Sequence, residues 1–365
     1  MIYLDNGATS FHKPPAVRRA VLQAMLRCAN PGRGGYPAAM AAAEQVYACR
    51  EVAGELFHCQ PDQVVLTSNC THSLNIAIGT LVAPGDSVVI SGFEHNAVTR
   101  PLYALGAHVT VAGRRLFDPS DTLESFENSL RRGAKAAVFT HASNVFGYVL
   151  PVEQMAQLCR RYQVPFIVDA AQSAGILEVN LEQLGADFIA MPGHKGLLGP
   201  QGTGILLCNR LPEPLLHGGT GSASMEQTMP DFLPDRAEAG TVNVPGIGGL
   251  TAALKYLRSV GIQTIAKRER EQMHRCVRGL KKLGFQPFHG ENQLGIVSFL
   301  PGMDCETAAE RLARRGICVR AGLHCAPLAH ESAGTLSTGT VRVSFGHDSN
   351  ASHTDYFLAA AATLR

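Results

Sequence analysis

Lys195 has the greatest chemical potential in this chain. It lies in the stretch Phe188-Ile189-Ala190-Met191-Pro192-Gly193-His194-Lys195-Gly196-Leu197-Leu198-Gly199-Pro200-Gln201-Gly202-Thr203-Gly204. The stretch begins as a short apolar run that reads as a buried strand, then enters a loop with five glycines, two prolines and one lysine. A lysine just past a buried strand is partly desolvated, so its pKa falls and its amine is free to attack a carbonyl carbon. Taken alone, Gly-His-Lys-Gly also reads as a surface turn, so its companions decide.

Those companions follow other strands, because open parallel sheets place ligands at the carboxyl ends of their strands. After the strand ending at Thr67 come Ser68-Asn69-Cys70-Thr71-His72-Ser73. Their amides and the Thr71 hydroxyl can cradle a phosphate at a helix N-terminus, or simply cap that helix. After Ile90 comes Glu94-His95, where His95 can stack on a flat ligand or cap a helix. After Thr140 comes Asn144, able to donate to a ring oxygen, and after Val168 come Asp169-Ala170-Ala171-Gln172. An Asp there is expensive to bury unless a cation meets it, and a protonated pyridine nitrogen is such a cation. These are the parts by which proteins tune pyridoxal phosphate. No His or Cys falls at metal-ligand spacing, and the glycine loop lacks the dinucleotide fingerprint GxGxxG.

The elements that must position these residues alternate. Short apolar runs at 64–67, 87–90, 109–111, 136–140, 165–168, 188–190 and 204–207 are mostly separated by helical stretches such as 74–81, 123–132 and 152–162. The pattern predicts an α/β fold with a largely parallel seven-stranded sheet, and the direct step from Ile189 to Ile205 suggests an antiparallel neighbour. Helices are expected over 15–28 and 38–57, with a loop at 30–37 that could touch substrate. Irregular Pro- and Gly-rich sequence over 230–249 suggests a boundary, followed by one long charged helix over 250–283 and an α+β tail. The expected division is a large domain over 15–246 and a smaller α+β domain from 1–14 and 247–365.

With 365 residues, 45% hydrophobic and 17% charged, the chain reads as an ordinary globular protein of one or two domains. A formal charge of +2 with no Trp gives neither a basic stripe nor stacking platforms, which sets nucleic acid aside. The first residues do not resemble a signal peptide, no apolar run reaches membrane-spanning length, and ten cysteines form no CxxC pair. A cytoplasmic protein with reduced thiols, no membrane and no metal is therefore expected.

Taken together the motifs resemble the class V, fold type I aminotransferases that depend on pyridoxal phosphate, and among them the cysteine desulfurases and selenocysteine lyases. The resemblance runs from Tyr3-Leu4-Asp5-Asn6-Gly7-Ala8 to Val341-Arg342-Val343-Ser344. It includes Glu94-His95, Ser143-Asn144, Asp169 to Gln172, Gly193-His194-Lys195, Glu238-Ala239-Gly240-Thr241 and Arg320-Ala321-Gly322-Leu323-His324-Cys325-Ala326-Pro327. It implies that Lys195 carries the cofactor and moves the α-proton, and that Cys325 takes sulfur from cysteine as a persulfide, leaving alanine. Asp169 would face the ring nitrogen, Gln172 the ring hydroxyl and His95 the ring face. Cys70, Thr71 and His194 would hold the phosphate, joined by Thr241 of a partner subunit in a homodimer.

Arg342, with Asn144, Arg320 and His324, would bind substrate, and Arg320 and His324 could activate the thiol. Two positions depart from the family pattern: Pro192 replaces a phosphate-binding hydroxyl, and Leu323 replaces a second His. A selenocysteine lyase, another class V aminotransferase or β-lyase, and a silent scaffold remain alternatives, and a separate sulfur-acceptor protein is an expected partner.

Overall fold

The computed structural model describes residues 1–32 and 34–364. Arg33, within the 30–37 loop, lies outside the described residues.

The chain opens with β1 (Ile2–Tyr3), α1 (Pro15–Arg27) and α2 (Pro37–Phe57). The alternating region then runs β2 (Val64–Thr67), α3 (Cys70–Leu81), β3 (Ser87–Ser91), α4 (Asn96–Ala104), β4 (His108–Ala112), α5 (Pro119–Arg131), β5 (Ala136–Thr140) and α6 (Val152–Tyr162). It ends with β6 (Phe166–Asp169), α7 (Leu181–Leu184), β7 (Phe188–Pro192) and β8 (Gly204–Cys208). These strands form a seven-stranded sheet in the order β2-β8-β7-β6-β5-β3-β4. Only β8 runs against its neighbours, pairing antiparallel with both β7 and β2. Strands β5, β6 and β7 are buried at every position. Helices cover both faces, which is why these strands read as unbroken apolar runs.

The expected single helix over 250–283 is two, α8 (Val244–Val260) and α9 (Ile262–Lys282), broken at Gly261, where φ is 84°. Helix α8 also begins inside the stretch expected to be irregular. Its early glycines are packing devices: a Cβ on Gly249 would stand 2.6 Å from Val21 of α1. Propensity counts such glycines against a helix, and here close packing overrides it.

The remaining elements are β9 (Ile296–Phe299), α10 (Cys305–Ala313), β10 (Ile317–Cys318), β11 (Arg320–Gly322), α11 (Pro327–Ser332), β12 (Thr340–Ser344) and α12 (Ala351–Ala361). Strands β11, β12 and β9 form an antiparallel sheet, and β1 pairs with β10. Two cores divide within α9. Ile265 and Ala266 join the cluster under the large sheet, whereas Met273, Cys276, Val277 and Leu280 join Leu4, Phe299, Val343 and Phe357. Residues 5–13 cross from the second core to the loop after β7.

Candidate active site

The Lys195 loop is fixed before any ligand arrives. Gly193 N donates to Thr203 O at 2.9 Å, Gly199 N to Gly193 O at 2.7 Å, and Leu198 N to Lys195 O at 2.9 Å. A Cβ on Gly193 would lie 2.1 Å from Thr203 Oγ1. Gly175, at φ 86°, lets the Gly196 carbonyl approach to where its own Cβ would be, 2.3 Å away. Both positions require glycine. From the other side the 5–13 arm converges on the His194 carbonyl. It accepts from Ser10 N and Ser10 Oγ at 3.0 Å each, Thr9 Oγ1 at 3.1 Å and Lys13 Nζ at 3.0 Å.

Lys195 opens onto a cavity of about 190 Å³ lined by Cys70, Thr71, His95, Asn144, Asp169, Gln172 and His194. Its amine has no hydrogen-bond or ion-pair partner among the described residues. Burial lowers its pKa, opposed by Cys70 and Asp169. Asp169, 2% exposed, ends β6 and accepts from Ala171 N at 2.9 Å and from the Cys70 thiol at 3.6 Å, both through Oδ1. Burial raises its pKa, and no cation lies within ion-pair distance of its carboxylate among the described residues. His95 caps α4 by accepting from Ala97 N on Nδ1 at 3.0 Å. Burial, with Lys195, Arg100 and Arg342 in support, pushes it down to about 4. The ring is therefore neutral at pH 7, with its proton on Nε2. Asn69 caps α3 through His72 N, and the Cys70 and Thr71 amides have no partner among the described residues.

Opposite Lys195 the three-stranded sheet supplies Arg342 from β12, and the turn before α11 supplies Cys325. Arg342 is 2% exposed; Nη1 donates to Asn144 O at 2.8 Å, Nη2 to Asp5 Oδ1 at 2.6 Å, and Nε has no partner. Arg320 stands across the sheet from Arg342 and reaches the other oxygen of Asp5 at 3.3 Å. Cys325 is exposed, whereas the buried His324 turns its ring to His330, 3.4 Å away. Burial, with Arg342 next, pushes His324 down to about 3, so its ring carries no positive charge beside the thiol at pH 7. The Cys325 carbonyl accepts from Asn96 N at 2.7 Å and the His324 carbonyl from Asn144 Nδ2 at 2.8 Å. The thiol turn is thus tied to the segments carrying His95 and Asn144.

These features fit pyridoxal phosphate. Asn144 Oδ1 is buried without a partner, Asp169 is a buried carboxylate without a cation, and two helix N-terminal amides face the cavity unpaired. A phosphate, a ring hydroxyl and a pyridinium would satisfy all three. A larger groove of about 880 Å³, between 149–154 and 289–295, lacks these groups and lies away from Lys195.

Comparison with known proteins agrees. The Aminotransferase class-V family matches residues 2–357. Full-length similarity extends to a probable cysteine desulfurase from Pyrococcus abyssi, 33% identical over 100% of this chain and 94% of the relative. The chain belongs to the cysteine desulfurase family. One from Methanothermobacter thermautotrophicus is 34% identical over 92% of this chain and 88% of the relative. Among solved structures, the apo cysteine desulfurase of Thermococcus onnurineus superposes with a TM-score of 0.89 at 31% identity, covering 100% of this chain and 94% of its own. The enzymes of this family depend on pyridoxal phosphate, and the seven-stranded sheet is that of their fold.

Of the residues singled out from sequence, the structure gathers Lys195, Cys70, Thr71, His95, Asn144, Asp169, Gln172 and His194 around one cavity. Arg342 and His324 bond Asn144 in its wall, and Cys325 bonds Asn96 beside His95. Gln172 spends Nε2 on Gly7 O at 2.9 Å. Thr241 is exposed and outside the cavity lining, and Glu238 before it makes a buried ion pair with Arg50 at 2.6 Å. Pro192 ends β7 in the cavity wall, and Leu323 is 38% exposed beside Cys325's turn. Sequence reading missed Asp5 as the counter-ion of both arginines, and Thr9, Ser10 and Lys13 on the His194 carbonyl. An Asp directly after the apolar run Ile2-Tyr3-Leu4 was the available signal for Asp5.

Proposed function

We propose that this chain is a pyridoxal-phosphate-dependent cysteine desulfurase that converts L-cysteine to L-alanine and receives the sulfur on Cys325. The observation that carries the reading is the single assembly of a half-buried lysine without a partner among the described residues, a buried aspartate without a cation and an exposed thiol tied to the same wall. When bound, pyridoxal phosphate supplies an electron sink for the substrate α-carbon.

This chain's residues do the rest. Lys195, its amine shifted toward neutrality, holds the cofactor and then takes the α-proton. The carboxylate of Asp169 keeps a ring proton in place, and His95 presents Nε2–H to the cavity. Arg342 has Nε left to meet the substrate carboxylate while Asp5 and Asn144 fix the guanidinium. The Cys325 thiolate attacks the substrate sulfur: an S–S bond forms, the C–S bond breaks, and its electron pair stays with the β-carbon, which takes up a proton. Persulfide remains on Cys325 and alanine leaves.

Exposure of Cys325 supports delivery to a separate acceptor protein. Exposed Leu22, Met25 and Leu26 on α1, Met40 and Tyr47 on α2, and the position of Thr241 support a homodimer in which Thr241 completes the partner's phosphate site. Ten free cysteines support a cytoplasmic setting, and no helix among the described residues is long and apolar enough to cross a membrane. The test is alanine release from cysteine and from selenocysteine, side by side. Turnover confined to selenocysteine would replace this reading with a lyase, and pyruvate without persulfide would replace it with a β-lyase.

A further inference from the structure

Behind Cys325 runs a line of polar contacts that the sulfur chemistry does not use; the inference rests on Cys325 as the sulfur acceptor. His324 and Cys325 both adopt left-handed φ values, 52° and 55°. L side chains hold such a pair only where the surroundings over-determine it. The His324 and Cys325 carbonyls, accepting from Asn144 Nδ2 and Asn96 N, hold one face of the turn. The other face is held by side chains. His324 Nε2 lies 3.4 Å from Arg320 O, His324 Nδ1 lies 3.4 Å from His330 Nε2, and His330 Nδ1 lies 2.8 Å from Thr335 Oγ1.

The two imidazole planes are within 11° of parallel, with centroids 5.6 Å apart. Two ring radii added to the N···N distance account for that separation, so the rings meet edge to edge in one plane, as a hydrogen bond between them requires. The Arg320 carbonyl sets the directions from one end. A carbonyl only accepts, so His324 carries its proton on Nε2 and offers Nδ1 as acceptor. His330 must therefore carry its proton on Nε2 and accept on Nδ1, where the Thr335 hydroxyl donates. The line closes with no surplus proton or lone pair only if both rings are neutral. Burial pushes His330 to about 4 against the Thr335 backbone, which raises it, and burial with Arg342 pushes His324 to about 3, so both rings are neutral at pH 7. Around this pair the described charged groups are Arg342 and Arg320, with Asp5 between them, and the Phe146 ring packs on His330 at 5.8 Å. Thr335 is itself fixed by donating its backbone N–H to His330 O at 2.8 Å.

We propose that Thr335 and His330 are positioning residues for the sulfur-accepting thiol: they fix His324 as its Nε2–H tautomer, which fastens its ring to the Arg320 carbonyl and holds the His324–Cys325 turn beside Asn144. The hydroxyl of Thr335 sets the direction of the whole line. Without it His330 is free to place its proton on Nδ1, its Nε2 becomes an acceptor, and His324 must turn its own proton toward it and release Arg320.

Nitrogen NMR of the histidine-labelled apoprotein tests the line without cofactor or turnover. Wild type is expected to show His324 and His330 as neutral Nε2–H tautomers throughout pH 5–8. Thr335→Val should convert His330 to the other tautomer, lower kcat for alanine formation about tenfold with KM within about twofold, and change the alkylation rate of Cys325 in the apoprotein. Thr335→Ser should restore all three. A wild-type His324 or His330 that is charged at pH 7 or protonated on Nδ1 would overturn the proposal. So would a Thr335→Ser variant as impaired as Thr335→Val, since packing alone would then explain the loss. Full activity in Cys325→Ala would instead remove the sulfur-acceptor reading while leaving the tautomer result standing, so the two failures are separable.

Discussion

Around Lys195 the backbone is closed on itself by glycine contacts too tight for any Cβ, and four donors from the N-terminal arm converge on one carbonyl. Cys325 stands exposed on a two-residue left-handed turn, held by single hydrogen bonds and a line of neutral side chains. The difference follows from what each side must do. A lysine that moves protons gains from desolvation and an unvarying distance to its ring, which a rigid, half-buried loop supplies. A thiol that accepts sulfur and then gives it away must meet a second molecule, so it is left at the surface.

That contrast can be broken in several ways. Lys195→Ala should cost on the order of 10³-fold or more in alanine formation and abolish the absorbance band of the holoenzyme, while Cys325 alkylates at the wild-type rate. A coupled loss of thiol reactivity would mean the two sides are one unit. Arg342→Lys keeps the charge but loses the fork held by Asp5 and Asn144, and should raise KM for cysteine by about 10- to 100-fold. An unchanged KM would exclude Arg342 from the substrate carboxylate.

Stability should divide along the same line. Gly193→Ala forces a Cβ against Thr203 and should cost about 1–3 kcal/mol in chemical denaturation. Cys325→Ala, at an exposed position, should stay within about 0.5 kcal/mol. The buried rings add a pH dependence. His95 and His141 are held near 4 and His324 near 3 by burial, against 6.5 when exposed. The folded protein therefore binds fewer protons than the unfolded chain between those values. These rings contribute stability that is full above pH 6.5 and lost progressively toward pH 4, while Glu94, raised to about 8 by burial, works in the opposite sense between 4.5 and 8. NMR titration of the apoprotein histidines separates the two, and a ring that titrated near 6.5 would contradict its neutral, buried state.

Much of the cavity was legible from the residues after each strand, because a doubly covered parallel sheet writes its strands as continuous apolar runs and its ligand groups immediately after them. Asp169, His95, Asn144 and Lys195 all fell at such ends. What sequence hid lies at long range. Asp5 meets Arg342 across 337 positions and Ser10 meets His194 across 184, so no local pattern could announce either pair. The helical glycines of α8 misled for the opposite reason, since packing against α1 overrode local propensity, whereas Gly261, at φ 84°, was a local stop signal. His324 was expected to act on the thiol because the two are adjacent in sequence. The left-handed turn sends its ring inward to His330 and leaves the thiol outside.

The most direct test of the account is alanine release from cysteine by the holoenzyme and its Cys325→Ala variant, with cofactor absorbance recorded on the same samples. Loss of turnover with the absorbance band intact is the expected result, placing sulfur transfer on Cys325 and cofactor binding on the Lys195 side. Full alanine formation by the variant would contradict the account, because the exposed thiol would then have no part in the reaction.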